Sequence, residues 1–146
     1  MPCGRRKARE IVFRILFETE ASGDDPLEAL EYAFGRYRLT EDGRDHALSL
    51  LRAWLRRREE IDPMLAGRLA HWEISRLSSV VRAALRLATA ELLEAPEVPA
   101  RVILDQAVEL AKRYGEEGAG GFVNGVLDPL AVSLRAAEMH RDGSKG

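Results

Sequence analysis

The densest concentration of reactive side chains is GRRKARE at residues 4–10, where Arg5, Arg6, Lys7 and Arg9 stand against a single acid, Glu10. With Arg14 included, residues 1–14 carry a net charge of +4, whereas residues 15–35 hold no lysine or arginine and six acids: Glu18, Glu20, Asp24, Asp25, Glu28 and Glu31. At about 100° per helical residue, Arg5 and Arg9 fall within about 40° of each other, in line with Val12 and Leu16. That geometry extends an apolar stripe into an exposed basic end, and the helix N-terminus adds partial positive charge that favours phosphate. A solvated, frayed helix start explains the same cluster, so the residue types leave both explanations standing.

The second stretch with chemical potential is GEEGAGG at residues 115–121, followed by FVNGVLD. It lacks the Gly-Lys-Ser/Thr ending of a nucleotide loop and no strand precedes it, so it reads as a flexible joint. Gly120 and Gly121 would leave Phe122 little shielded, and an exposed aromatic beside a basic surface can stack a base, worth about 1–3 kcal/mol. Core packing of Phe122 is the alternative. In the helix that follows, Val123, Val126 and Leu127 face the core, and Gly125 lets a neighbouring helix approach closely.

Catalytic chemistry finds little support. No Ser/His/Asp or Cys/His arrangement is suggested by spacing, and Glu116 and Glu117 sit in a glycine-flanked loop where solvent is their natural surrounding. His46, His71 and His140 are too scattered for a metal-ligand spacing, so no metal or other cofactor is expected. Cys3 is the only cysteine, which excludes an intramolecular disulfide and fits a reducing, cytoplasmic setting. IVFRILF is broken by Arg14 and trailed by Glu18 and Glu20, so it is neither a signal core nor a membrane span. A net charge of -2 neither demands nor excludes a nucleic acid.

The elements that must position these residues are helical, because apolar residues return at three- and four-residue steps nearly throughout. The 146 residues, 46% of them hydrophobic, are enough for one all-α domain with a core of its own. Seven helices are expected. The first covers about 5–20, with Ala8, Ile11, Val12, Ile15 and Leu16 inward. Asp25-Pro26 opens a second, ending near Tyr37, and a third covers about 42–60. Asp62-Pro63 starts a short fourth, and Ser78 caps a fifth that APEVP stops. Pro99 opens a sixth, with Gly115 as its left-handed C-cap. The seventh covers about 121–136, kinked or split at Pro129. Residues 137–146 form a polar, disordered tail.

Four stretches in this order and spacing, RRKARE, WEISRLSSVVRAALRLATAELL at 72–93, VPARVILDQAVELAKRYGEE at 98–117 and FVNGVLD at 122–128, resemble the NusB family of bacterial transcription antitermination factors. The resemblance spans nearly the whole chain. It implies two packed three-helix subdomains, roughly 1–75 and 76–136, and a non-enzymatic role. That role is binding boxA-type single-stranded RNA of ribosomal RNA operons jointly with the small-subunit ribosomal protein NusE. The pair joins an RNA polymerase complex that resists termination and aids rRNA processing. Carried over by position, Arg5, Arg6, Lys7 and Arg9 match the arginine-rich RNA-binding start, and Phe122 and Asn124 match the FVNG element near the RNA. Arg76, Val81, Arg82 and Arg86 fall in the region that meets the ribosomal protein, where Leu85, Leu87 and Leu92 belong partly to the core.

The chain departs from the family pattern at Val81, usually an acid in that contact, and at Ala90, usually a tyrosine, which shortens the contact or alters packing. Gly118 and Gly121 replace polar or basic side chains of some members, shifting weight to the first helix. If its four cations each neutralise one phosphate, their share of the log-log salt slope is roughly -3. Two other classes of function are consistent with parts of the chain. One is a helical adaptor or homodimer without strong RNA affinity, since some relatives dimerise. The other is a stand-alone relative of the RNA-binding domain of RNA cytosine methyltransferases, although no strand-rich donor-binding domain follows the last helix.

Overall fold

The computed structural model describes residues 4–139. Cys3, His140 and most of the expected tail lie outside them. Six α-helices follow one another: α1 (Arg5–Ser22), α2 (Pro26–Arg36), α3 (Glu41–Ala66), α4 (Ser79–Glu94), α5 (Ala100–Tyr114) and α6 (Ala119–Leu134), with a 3-10 turn at Ile74–Arg76 before α4. Helices α1–α3 pack on one another, as do α4–α6, and both α1 and α3 lie against α4. One apolar core therefore runs through both groups, from Val12 and Phe13 through Leu51 and Leu85 to Leu104 and Leu127. No helix among the described residues is long and apolar enough to cross a membrane.

Local signals account for most helix starts. The Asp25 carboxylate accepts the Leu27 N–H at 3.0 Å and the Ser78 hydroxyl accepts the Val81 N–H at 3.2 Å, each satisfying a donor that a helix leaves unpaired. Thr40 does the same for α3, accepting from the Gly43 N–H at 2.9 Å.

Two prolines behave differently from expectation. Pro63 does not open a separate helix; it lies inside the last turns of α3. A proline there removes one hydrogen bond, but Ile61 and Leu65 on either side are fully buried, and their packing holds the helix together. The same holds at Pro129, which lies within an undivided α6 between buried Leu127 and Leu130.

Two glycines exchange roles. Gly115 follows α5 in an extended conformation (φ -99°, ψ -179°) rather than as a left-handed cap. What it provides is clearance, since a Cβ there would lie 2.6 Å from the Ala111 carbonyl oxygen. The left-handed residue is Gly118, φ 87°, which turns the chain into α6. Gly125 is exposed and a Cβ on it would meet nothing within 4 Å, so it serves no close helix approach.

The fold also continues further than the polar composition of the C-terminus indicates. Residues 136–139 form a helical turn in which Met139 is buried. The Arg135 guanidinium donates to the carbonyls of Ala95 and Val98, both at 2.9 Å. The Glu138 carboxylate accepts the Ala100 N–H at 2.6 Å, capping an α5 start that no local side chain caps. This capping across 38 residues is invisible to a pattern that looks only at neighbours.

Candidate nucleic-acid interface

The first turns of α1 carry the four cations singled out above, and the fold separates them. Arg5 and Arg6 are exposed and Lys7 half-buried, whereas Arg9 is buried. Arg5 donates to Asp42 at the start of α3 at 2.9 Å, Arg6 pairs with Glu109 of α5, and Lys7 pairs with Glu10 at 3.0 Å. Exposed pairs of this kind contribute little and exchange partners readily. Arg5 and Arg6 can therefore turn to another anion.

Arg9 cannot. Its guanidinium forks onto the Glu91 carboxylate of α4 at 2.9 and 2.6 Å, with side-chain exposures of only 8% and 2%. The alignment of Arg9 with Val12 and Leu16 is real, but that stripe is already core at Arg9, because α4 covers it. Arg9, expected among the RNA contacts, is thus a buried ion paired with Glu91 rather than an exposed cation. His46 of α3 completes the cluster, its Nε2 lying 3.5 Å from Glu91. Burial pushes the Glu91 carboxyl up, but His46 and Arg9 outweigh that and hold it below its ordinary range. The cue in the sequence is Glu91 itself, the single acid within the apolar run ATAELL, a position that requires a buried partner.

Glu10 links the basic end to α5. It accepts from Arg113 at 2.7 Å and from the Tyr114 hydroxyl at 2.6 Å. Burial pushes its carboxyl up, while Tyr114 and Lys7 pull it down further, so the net shift is downward. Arg113 and Lys112 end α5, and the Lys112 stem lies against Gly120, where a Cβ would come within 2.6 Å of it. The start of α1 is thus tied to the last turn of α5 through Glu10 and Arg113, and that same turn meets the first turn of α6 where Lys112 lies against Gly120.

On α6, Asn124 is exposed and Phe122 half-buried. Phe122 is neither bare nor core; its ring meets Trp72 edge-on at 6.4 Å between centroids, and Trp72 is 57% exposed. The two rings line a groove of about 320 Å³ with Leu77 and Val81. Val123, Val126 and Leu127 face inward as expected.

The residues expected to meet a protein partner divide similarly. Arg76 is 77% exposed in its side chain, 3.8 Å from Glu73. Val81 is buried at the floor of the Trp72 groove. Arg82 and Arg86 point inward: Arg82 donates to Glu20 and to the Leu77 carbonyl, and Arg86 bridges Glu20 at 2.7 Å and Asp62 at 2.8 Å while lying over the Trp54 ring at 5.1 Å. These two arginines clamp α1 and α3 onto α4, which is where part of the acidic stretch finds its counter-charge. Ala90 is fully buried, and Leu85, Leu87 and Leu92 are core.

Paired carboxylates make the fold sensitive to acid. Glu20 is held below its ordinary value of 4.5 chiefly by the Arg82 hydrogen bond, and Glu10 and Glu91 are also lowered. A depressed carboxyl stabilises the fold above its unfolded value and loses that contribution as pH falls through the folded value. Thermal unfolding followed by circular dichroism should give a constant midpoint near neutrality and a steady fall below about pH 4.5. A midpoint unchanged at pH 3 would contradict the pairing.

Residues 6–131 match the sequence profile of the NusB family. The transcription antitermination protein NusB of Salinibacter ruber is 42% identical over 132 residues, covering 89% of this chain and 82% of that protein. The crystal form of T. maritima NusB superposes with a TM-score of 0.84 at 38% identity, over 90% of this chain and 92% of that one. A chain from the structure described as antitermination factors NusB and NusE in complex with dsRNA superposes with a TM-score of 0.81 at 32% identity, over 88% and 96% of the two chains.

Proposed function

The chain belongs to the NusB family, and from that premise we propose that it binds boxA-type single-stranded RNA of ribosomal RNA operons together with the ribosomal protein NusE. In this role it is a non-enzymatic antitermination factor, acting in the cytoplasm within an RNA polymerase complex. The observation that carries the reading is the likeness over most of the chain to a chain of the structure described as NusB and NusE in complex with dsRNA; the single-stranded form of the target rests on the family resemblance.

Arg5, Arg6 and Lys7 supply phosphate contacts that set the register of the strand. From the last turn of α5 the strand would run on to α6, where Asn124 and Phe122 meet unstacked bases at their edges or faces. Arg76 and the apolar groove of Trp72 and Val81 make the part of the NusE face that this chain keeps, with an apolar contact where other members place an acid. Arg82 and Arg86 support that face from behind by fixing α4. With Arg9 removed, three cations remain, and the expected share of the salt slope falls to about 3 × 0.7, roughly -2.

Because Asp42 and Glu109 hold Arg5 and Arg6, they compete with phosphate. Asp42→Asn and Glu109→Gln should each tighten RNA binding, by up to about fivefold, measured by fluorescence anisotropy with labelled boxA-type RNA at low salt. Weaker binding in both variants would show that the carboxylates orient the arginines rather than compete for them.

A further inference from the structure

The stretch GRYRL at residues 35–39 closes α2 and leads into the turn before α3. Helices α1 and α2 form an antiparallel hairpin, so the end of α2 returns to the start of α1. There Lys7 Nζ lies 5.0 Å over the Tyr37 ring, and the Arg36 guanidinium sits between two aromatic rings, 5.8 Å from Tyr32 and 5.9 Å from Tyr37. Tyr32 is 69% exposed, more than any other large hydrophobic residue described as exposed. Arg36 and Arg38 are exposed, and among the described residues neither has a carboxylate within 4.0 Å. Lys7, Tyr32, Arg36 and Tyr37 border a groove of about 390 Å³ between α1 and α2.

We infer that this end of the α1–α2 groove is a second nucleotide site, in which the RNA strand leaving the α1 start places an unstacked base against Tyr32 and its phosphate on Arg36. The inference rests on the RNA-binding reading above and extends it to residues on a different helix. Three features support a nucleic acid as the occupant. Aromatic rings interleaved with cations are what a single strand needs, because each base offers a π-face and each linkage a charge. Arg36 is a cation without a carboxylate, unlike Arg5 and Arg6, so phosphate binding there displaces nothing. The site is also continuous with the basic end of α1, since Lys7 belongs to both.

The same groove sets a limit. Its other end, near the α1–α2 connection, is lined by Glu18, Asp24, Asp25 and Glu28. Phosphates are repelled there, so the site holds one or two nucleotides at the open end. A duplex, whose bases stay stacked, gains nothing from Tyr32.

The test uses the full chain with NusE and a labelled boxA-type single-stranded RNA. Tyr32→Ala should weaken binding at least about fivefold, while Tyr32→Phe should leave it within twofold, because the ring and not the hydroxyl stacks. Arg36→Ala should reduce the log-log salt slope by about 0.7. Both side chains are exposed, so circular dichroism should show intact helices in every variant. A 4-thiouridine RNA should photo-crosslink to the peptide containing Tyr32.

Unchanged affinity in Tyr32→Ala and unchanged salt slope in Arg36→Ala, with RNA binding still lost in Arg5→Ala/Arg6→Ala/Lys7→Ala, would overturn this site and leave the broader reading intact. Weakened NusE binding with unchanged RNA binding would also overturn it, assigning the patch to protein. Failure of the unaltered chain to bind RNA with NusE present would overturn both.

Discussion

Arg9→Ala should lower the unfolding free energy by about 3–5 kcal/mol, because it leaves the Glu91 carboxylate buried without its main counter-charge. For a domain whose total stability is of order 5–15 kcal/mol, that is a large fraction, and it corresponds to a melting point lower by roughly 10 °C or more. The effect belongs to the unpaired ion rather than to the ion pair's net worth. Replacing both partners by apolar residues, Arg9→Met with Glu91→Leu, should therefore recover most of the loss. Urea denaturation followed by circular dichroism measures both variants. The same variants separate a structural from an RNA-contacting role. A buried Arg9 predicts that the double variant, once refolded, binds RNA nearly as well as the unaltered chain. A stable Arg9→Ala protein with weakened RNA affinity would return Arg9 to the surface.

The second large effect is on affinity. In the proposed role Arg5, Arg6 and Lys7 would each neutralise one phosphate, which at 0.15 M salt amounts to at most roughly 50-fold in binding by counterion release. Arg5 and Arg6 must first give up Asp42 and Glu109, and Lys7 must leave Glu10. Those exchanges reduce the gain, so Arg5→Ala/Arg6→Ala/Lys7→Ala is expected to weaken RNA binding by an order of magnitude. Its fold should survive, since Arg5 and Arg6 are exposed and none of the three contributes to the core. Anisotropy titration with boxA-type RNA measures the loss, and NusE binding should be unaffected.

What could be read from residue types and what could not divide along a physical line. Helices announced by local chemistry, such as the Asp25 and Ser78 caps and the inward stripes of α1 and α4, are legible because period and capping act within a few residues. Pro63 and Pro129 mislead, since their local cost is met by burial of Ile61, Leu65, Leu127 and Leu130 that only tertiary packing supplies.

The candidate site shows the same division. Arg5 and Arg6 lie exposed, as a basic helix end implies, and Asn124, whose exposure the sequence left open, is exposed too; Arg9 belongs to the same basic run and differs in having α4 above it. Arg82 and Arg86 look like surface cations, yet their partners Glu20 and Asp62 are 62 and 24 residues away. Tyr32 and Arg36 stand at a legible i,i+4 spacing, but their nearness to Lys7 is not, because it arises only when the α1–α2 hairpin closes.

In the proposed function RNA is held through the exposed cations at the start of α1. This is tested most directly by titrating boxA-type RNA, with NusE present, across about 0.05–0.3 M salt for the unaltered chain and for Arg5→Ala/Arg6→Ala/Lys7→Ala. The log-log slopes should differ by about 2, with the steeper slope in the unaltered chain. Equal slopes for the two proteins would contradict this and place the RNA on another face.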